Sequence, residues 1–527
     1  MRAHSLQTNI LYLLIAIILS SLITLTRLDI VTQLLISLVL VSVIIYLMNP
    51  QKIFWYFIVL MPLLPPYLAY KAGGAPFVNG FRILLLIFIF DQLILKRRVS
   101  EFISSIRSDK FKVVVLIYAF GIIISGLVRA SMFDMSSNLI SSTAIIVEKV
   151  VFYYLILMNI NIEVQKGGHR EFINKFLHRI SVVAFILAIL GILEYFSQFN
   201  IFSLLDVSNY EGLKYHPFIR SGQLRVSSSF SHTLGYVMYL LIMIPIVFYQ
   251  ATWAAKEGKK KRVFYFSLIL LLILNLFMTL SRSAMLAATV AVVTYAVFSV
   301  AKSRMKFIFA VFYIVFPLLF LSLTPVGKDI PGVSTIGSNI NALSDALLGT
   351  QKVENFGNNE DPFVYRNALI KYSFQLKGNE AIWGKGIGFI ENEPLEFYLP
   401  EIAPFVATIS RSIDNYYILT KLEQGWVGLV VTLILFITVV FTAIRYRRKN
   451  NLNLMILVSF LAYFVQLFMV ADLDTIKYFW MFLAVLSVFH SYNANEELPK
   501  RESRNTICNQ MKNKEGGNMN DSSVYHT

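Results

Sequence analysis

The chain has 527 residues, of which 56% are hydrophobic and only 15% charged, with a mean hydropathy of +0.63 and a formal charge of +16. A soluble domain carries roughly a quarter charged residues, so a water-soluble globular class is excluded, and the single cysteine, Cys508, excludes a disulfide framework or a cysteine metal cluster. An outer-membrane barrel is excluded as well, because its strands would alternate apolar and polar residues.

Apolar runs long enough to cross a hydrocarbon core recur at 9–25, 30–48, 53–70, 82–95, 112–128, 143–158, 178–196, 232–250, 263–280, 283–300, 306–323, 415–442, 452–470 and 473–490. The run Ile10 to Leu25 reads as a retained anchor rather than a cleaved leader. The run 53–70 carries Pro62, Pro65 and Pro66, and the run 143–158 carries Glu148 and Lys149. The expected fold class is therefore an all-α polytopic membrane protein with about 12–14 transmembrane helices. Basic residues cluster in alternate loops: Lys96 to Lys112, Lys166 to Arg179, Lys256 to Arg262, Lys302 to Lys306 and Arg445 to Lys449. That alternation marks cytoplasmic loops and puts both termini in the cytoplasm. The positive charge thus reads as topology signalling and contact with anionic membrane lipids, with no nucleic-acid partner.

Two loops on the other side are long, Ser197 to Ser231 and Thr324 to Asp414. Connections that long are uncommon unless functional or disordered. Four regions follow from this division: transmembrane helices over 1–323, an extracytoplasmic loop domain over 324–414, transmembrane helices over 415–490, and a polar, disordered cytoplasmic tail over 491–527. Within the loop, Pro362 to Gln375 has helical apolar spacing, and Trp383-Gly-Lys-Gly-Ile-Gly-Phe389 reads as a glycine-rich turn.

Candidate chemistry gathers on the external face. Arg282, in Thr279-Leu-Ser-Arg-Ser-Ala-Met-Leu286, sits between two apolar runs with almost no loop. Arginine at a membrane edge snorkels, pairs or grips a ligand, and its fork matches phosphate oxygens. Arg366 lies on the loop helix, as a solvated residue or a second clamp. Arg220 and Arg225 add external positive charge against the topology rule. In Asp414-Asn415-Tyr416-Tyr417, Asp414 reads as a helix N-cap or as a general base toward a hydroxyl. His232 reads as an interfacial histidine. Glu423 either pairs with a cation or lines a substrate cavity. No P-loop and no metal-binding motif is present, so no cofactor is expected, and an enzyme working outside needs a substrate that is already activated.

These motifs, in this order, resemble the bacterial O-antigen ligase and O-antigen polymerase (Wzy) superfamily. Ser281-Arg282-Ser283 is similar to its Ser-Arg-Gly signature. Arg225, Phe230, His232, Thr233 and Gly235 loosely match an earlier element. Arg366 and Gly384-Lys-Gly-Ile-Gly388 match the loop, and Asp414-Asn415-Tyr416-Tyr417-Ile418 with Glu423-Gln-Gly-Trp-Val-Gly428 match the closing signature. The resemblance covers about Arg225 to Leu429. The family's frequent histidine is Asp414 here, which fits the polymerase branch better than the ligase branch.

The resemblance implies a GT-C-like fold, a metal-independent inverting glycosyl transfer, and an undecaprenyl-diphosphate-linked glycan as substrate in the bacterial cytoplasmic membrane. Arg282, Arg366 and Asp414 become the expected catalytic residues. Arg220, Arg225, Asn415, Tyr416, Tyr417 and Glu423 become the expected substrate contacts, and a chain-length regulator is a further candidate partner. The expected product is a surface polysaccharide built from repeat units. The rival expectations are a ligase moving glycan to another acceptor and a transporter of lipid-linked sugars.

Overall fold

The computed structural model describes residues 52–70, 78–133, 136–206, 208, 214–220, 223–254, 258–299, 362–392, 395–398, 407–410, 413–471 and 475–492, with Ser37 and Asn49. The expected spans 9–25 and 306–323, all but Ser37 of 30–48, the first half of the long loop and the tail beyond Tyr492 lie outside the described residues.

In chain order the helices are α1 (Ile53–Leu60), α2 (Gly80–Ile89, continued by a π-helical turn Phe90–Leu95), α3 (Val99–Ser108), α4 (Lys112–Phe133) and α5 (Ser136–Ile146). A π-helical turn at Val147–Val151 leads into α6 (Phe152–Ser197), followed by α7 (Thr233–Ala254), α8 (Lys259–Met278) and α9 (Arg282–Phe298). In the loop region come α10 (Pro362–Gln375), α11 (Gly378–Trp383) and α12 (Phe389–Asn392), and then α13 (Tyr416–Tyr446), α14 (Asn451–Gln466) and α15 (Ile476–Phe489). Strand is confined to three two-stranded antiparallel ladders among the described residues, β1–β2 (Ala69–Tyr70 with Val78–Asn79), β3–β4 (Ile219–Arg220 with Gln223–Leu224) and β5–β6 (Leu395–Tyr398 with Ala407–Ser410). The last of these stands in the loop where only helix and turn were expected.

Five stretches among the described residues are long and apolar enough to cross a membrane: Lys112–Ala130, Leu139–Ser197, Thr233–Trp253, Lys259–Met278 and Tyr416–Tyr446. Shorter apolar helices are α9, α14 and α15. The chain is an integral membrane protein. Three expected spans take a different form. The run 53–70 is helical only to Leu60, because prolines supply no backbone donor and Pro62 opens a turn-rich segment. The runs 143–158 and 178–196 form one stretch of 59 residues. A straight helix of that length would be about 88 Å long, far beyond a bilayer core, and the break at Gly168 (φ 79°) divides it. Its second half climbs along α15: Phe172 lies against Phe489, and Phe176 against Phe482.

The centre of the bundle is α15, in which every residue from Ile476 to Ser487 is buried. A helix apolar all round is one surrounded by others. Outward faces remain apolar too, with Val113, Leu116 and Phe120 of α4 and Val430, Ile437 and Phe441 of α13 exposed, as a lipid-facing surface requires. The basic residues Arg445 to Lys449 close α13, a helix of 31 residues.

At the opposite end, Glu194 near the close of α6 organises the approach to α7. Its buried carboxylate accepts from the Ser227 amide and hydroxyl, from the Ser228 amide at 2.7 Å and from the Asn200 side chain at 3.1 Å. Bonds to a charged acceptor contribute about 1.5–3 kcal/mol each. Glu194→Gln replaces an acceptor oxygen with an amide facing donors, so a stability loss of roughly 3 kcal/mol is expected. Thermal unfolding in detergent measures it, and a wild-type midpoint would contradict the role.

Candidate functional site

The start of α13 is built around a broken turn. Gly425 adopts φ 67°, ψ −164° inside the helix, so the carbonyls just before it lack their ordinary donors four residues on. The loop after α11 supplies replacements. Lys385 N donates to Leu422 O at 2.7 Å, Gly386 N to Glu423 O at 2.9 Å, and Gly388 N to Glu423 Oε1 at 2.8 Å. The two backbones meet so closely that a methyl on Gly384 would overlap the Glu423–Gln424 peptide, and one on Gly425 would overlap the Ile382 carbonyl. The other edge of the loop is held by α4: Ser125 Oγ donates to Trp383 O at 2.8 Å, and buried Arg129 donates to Lys385 O at 2.7 Å.

The helix that carries Arg366, α10, is fastened to the same part of α13. Leu369 packs with Phe389, Ile413, Ile418 and Leu422 in one apolar cluster. Buried Lys421 donates to Ser373 O at 2.6 Å near the C-terminal end of α10, where a cation meets the negative end of the helix dipole. Its ammonium also lies 3.6 Å from the Phe374 ring centre and 4.4 Å from that of Trp426. Leu369 follows Arg366 by three residues and Ile413 precedes Asp414, so this cluster brings the two backbone segments together.

The helix N-cap of α13 is Asn415, not Asp414. Asn415 Oδ1 accepts from the amides of Tyr417 (2.9 Å) and Ile418 (3.1 Å), which leaves Asp414 just outside the helix and exposed. Tyr416 and Tyr417 are buried. The Tyr416 amide donates to Leu467 O and Val470 O, and the Tyr417 hydroxyl donates to Phe464 O at 3.0 Å. Both tyrosines therefore fasten α13 to the end of α14.

That same end of α14 holds the start of α9. Gln466 Nε2 donates to Ser283 Oγ at 3.0 Å, Ser283 and Ser281 share a hydroxyl contact of 3.0 Å, and Ser281 caps α9. Arg282 is exposed at the first position of α9. The turn before it is tight: Leu280 takes φ 51°, a left-handed conformation that a leucine adopts at a cost. Half-buried Arg225 donates through Nε to Thr279 O at 2.9 Å, three residues before Arg282. His232, which precedes α7, lies against Phe218 with ring centres 4.0 Å apart and the rings tilted by 60°, and its Nδ1 accepts from Leu234 N. Burial, with Arg225 nearby, pushes its imidazole down to about 4.

The structure thus gathers Arg225, Arg282, Asp414 and the backbone of Arg366 at one end of the bundle, opposite the basic end of α13. Arg220 lies in β3, paired in register with Gln223. The oxygens of Asn415 and Tyr417 are engaged in holding α13, and Glu423 holds the glycine loop. Sequence reasoning did not single out Arg129, Glu194, Lys421 or Gln466. Three of them had a signal, a charge within or at the outer end of an apolar run. Gln466 had none. Among the described residues, no group of three or more His, Cys, Asp or Glu side chains could hold a metal ion.

Gly425→Ala meets both a positive φ, costing about 1–2 kcal/mol for an L-residue, and overlap with Ile382, whereas Gly168→Ala meets open space at a similar φ. Gly425→Ala is expected to lose folded protein on size exclusion while Gly168→Ala survives; equal behaviour would contradict the docking. For His232, the folded state resists a proton that the unfolded chain accepts near 6.5. Stability is therefore full above about pH 6.5 and falls as pH drops toward about 4. His232→Gln should flatten that part of a thermal-stability profile.

No curated protein matches the chain. A family model described as O-antigen ligase matches residues 266–433, from within α8 through the Arg282 turn and the glycine loop to the first half of α13. Over that segment the chain is similar to the O-antigen ligase and O-antigen polymerase superfamily, as its motifs indicated.

Proposed function

We propose that the chain is a glycosyltransferase of the bacterial cytoplasmic membrane that polymerises undecaprenyl-diphosphate-linked repeat units on the extracytoplasmic face into a surface polysaccharide. One observation carries this reading. The starts of α9 and α13, bearing Arg282 and Asp414, are tied to a single turn, Gln466 to Val470, at the end of the bundle remote from the basic residues of α13. A cation for a leaving diphosphate and a carboxylate for an incoming hydroxyl thereby share one scaffold. The family match supports a membrane enzyme that processes glycans.

In this mechanism Arg282 and Arg366 grip the diphosphate of the donor lipid, and Arg225 steadies the turn that presents Arg282. A hydroxyl of the acceptor repeat unit attacks the anomeric carbon from the face opposite the phosphate. The carbon–oxygen bond to phosphate breaks, the diphosphate leaves with the electron pair, and Asp414 takes the hydroxyl proton. Guanidinium groups fixed where charge develops lower the barrier without reorganising. The diphosphate leaving group supplies the driving force, so no nucleotide is required. The GT-C-like architecture and the inverting, metal-independent course belong to this proposal. A site at one end of the bundle suits an enzyme better than a transporter, whose site tends to lie at the midplane.

Purified chain mixed with lipid-linked repeat alone tests the reading. Ladder formation supports polymerisation; consumption only after a second acceptor is added supports ligation instead. General-base catalysis is worth about 10²–10⁴-fold, so Asp414→Asn should lower product formation by at least that lower bound. Arg282→Ala and Arg366→Lys should also abolish the ladder at unchanged protein levels, the latter because lysine keeps the charge and loses the fork. Near-normal ladders from all three variants would refute the assignment.

A further inference from the structure

The opposite, basic end of the bundle carries another arrangement of charge, outside residues 266–433. It forms where α1 meets α6 around the break at Gly168. Trp55 of α1 is buried, and its indole N–H donates to Glu163 Oε2 at 3.1 Å. Glu163 Oε1 accepts from Lys166 Nζ at 2.8 Å. Two further cations, from the second half of α6, stand over the same indole. Lys175 Nζ lies 4.8 Å from its ring centre and the Arg179 guanidinium 4.3 Å. Lys175 is exposed and Arg179 half-buried. Phe172 packs against both Trp55 and Phe489, and Tyr446 lies against His490. The group therefore sits at the same end as Arg445 to Lys449.

The nearby carboxylates are engaged elsewhere. Glu163 already serves Trp55 and Lys166. Glu171, one turn before Lys175, is exposed and folds back toward Gly167. Asp91 of the π-helical turn after α2 pairs with Lys96. Among the described residues, neither Lys175 nor Arg179 makes an ion pair. Beside these cations, α1 and α2 leave an apolar groove, lined by Ile53, Tyr56 and Leu60 of one helix and Leu84, Ile87 and Phe88 of the other. Tyr56, half-buried in that lining, is an electrostatic neighbour of Arg179. Phe54 joins the two features, stacked on Phe88 at 6.4 Å and on Phe172 at 6.5 Å.

We infer that Lys175 and Arg179, seated on Trp55, bind the phosphate of an anionic phospholipid whose hydrocarbon chain lies in the α1–α2 groove. An aromatic face positions cations without supplying a counter-ion, and their outward donors match phosphate oxygens, the guanidinium as a fork and the ammonium as a point charge. One ring holds both cations, so one phosphate serves both. A zwitterionic headgroup brings a cation of its own, which this pair repels, so the site selects net negative lipids. Soluble phosphate satisfies the cations and leaves the groove empty, which favours a membrane lipid as the occupant. The bound lipid fastens α1 to the second half of α6 beside the Gly168 break. This site stands apart from Arg282 and Asp414 and does not depend on the reaction proposed for them.

The test measures lipid retained by the full-length chain in native mass spectrometry, after titration with dioleoyl phosphatidylglycerol or with dioleoyl phosphatidylcholine, which carries the same chains. The unaltered chain is expected to retain phosphatidylglycerol preferentially, and Lys175→Gln/Arg179→Gln to retain about tenfold less. Arg448→Gln/Lys449→Gln removes equal charge from the same end and should leave retention unchanged. Ile87→Trp fills the groove and should lower retention with both cations intact. A phosphatidylglycerol with a photoreactive acyl chain should label peptides of α1 or α2 on the unaltered chain, which keeps the test open should a variant not fold. Full retention by the folded Lys175→Gln/Arg179→Gln variant overturns the inference. Equal loss from both double variants overturns it too, since diffuse attraction to a basic surface then accounts for binding. So do equal retention of the two lipids, and displacement of phosphatidylglycerol by inorganic phosphate at equal concentration. Labelling absent from α1 and α2, as when another segment of the chain fills the groove, has the same meaning.

Discussion

A helix that breaks must find hydrogen-bond donors for the carbonyls it exposes, and in a membrane protein water is a poor source. The break at Gly425 meets that demand with the amides of Lys385, Gly386 and Gly388. The rest of the candidate site depends on this exchange. It ties the loop to α13, and Ser125 and Arg129 then tie the loop to α4. The two glycine-bearing signatures, Gly384 to Gly388 and Glu423 to Gly428, are two halves of one contact, because only residues without a β-carbon let the backbones approach so closely.

The same economy governs the buried charges. Glu194 accepts from amides and hydroxyls of the loop at Ser227, Lys421 donates to a carbonyl near the end of α10, and Arg129 donates to the carbonyl of Lys385. Each satisfies backbone groups that irregular segments leave over. These charges build a rigid end on the bundle, and that rigidity supports the exposed pair, Arg282 and Asp414. In the proposed mechanism the reactive groups face water while their supports are buried.

Much of this was legible in the sequence. The apolar runs marked α4, α7, α8 and α13 within a few residues, because a helix that crosses lipid must be apolar along its length. The proline-rich run at 53–70 misled, since apolar composition does not reveal that a segment leaves the helix at Leu60. Composition also could not separate Asp414 from Asn415 as the cap, because both residue types suit that position, and the choice rests on which side chain reaches the amides of Tyr417 and Ile418. Tyr416 and Tyr417 looked like substrate surfaces beside a membrane edge. The Tyr416 amide and the Tyr417 hydroxyl also close the joint with α14.

Residue order alone determined that this is a helical membrane protein, where its charged loops fall, and which family signatures it carries, since periodicity, charge and local motifs are properties of neighbours along the chain. Tertiary structure alone decided that Gln466 holds the Arg282 turn, that Lys421 fastens the helix of Arg366, and that Arg82 pairs with Glu148. Such contacts join residues tens to hundreds of positions apart, and only the packing of whole helices brings them within reach of a hydrogen bond or a shared ring.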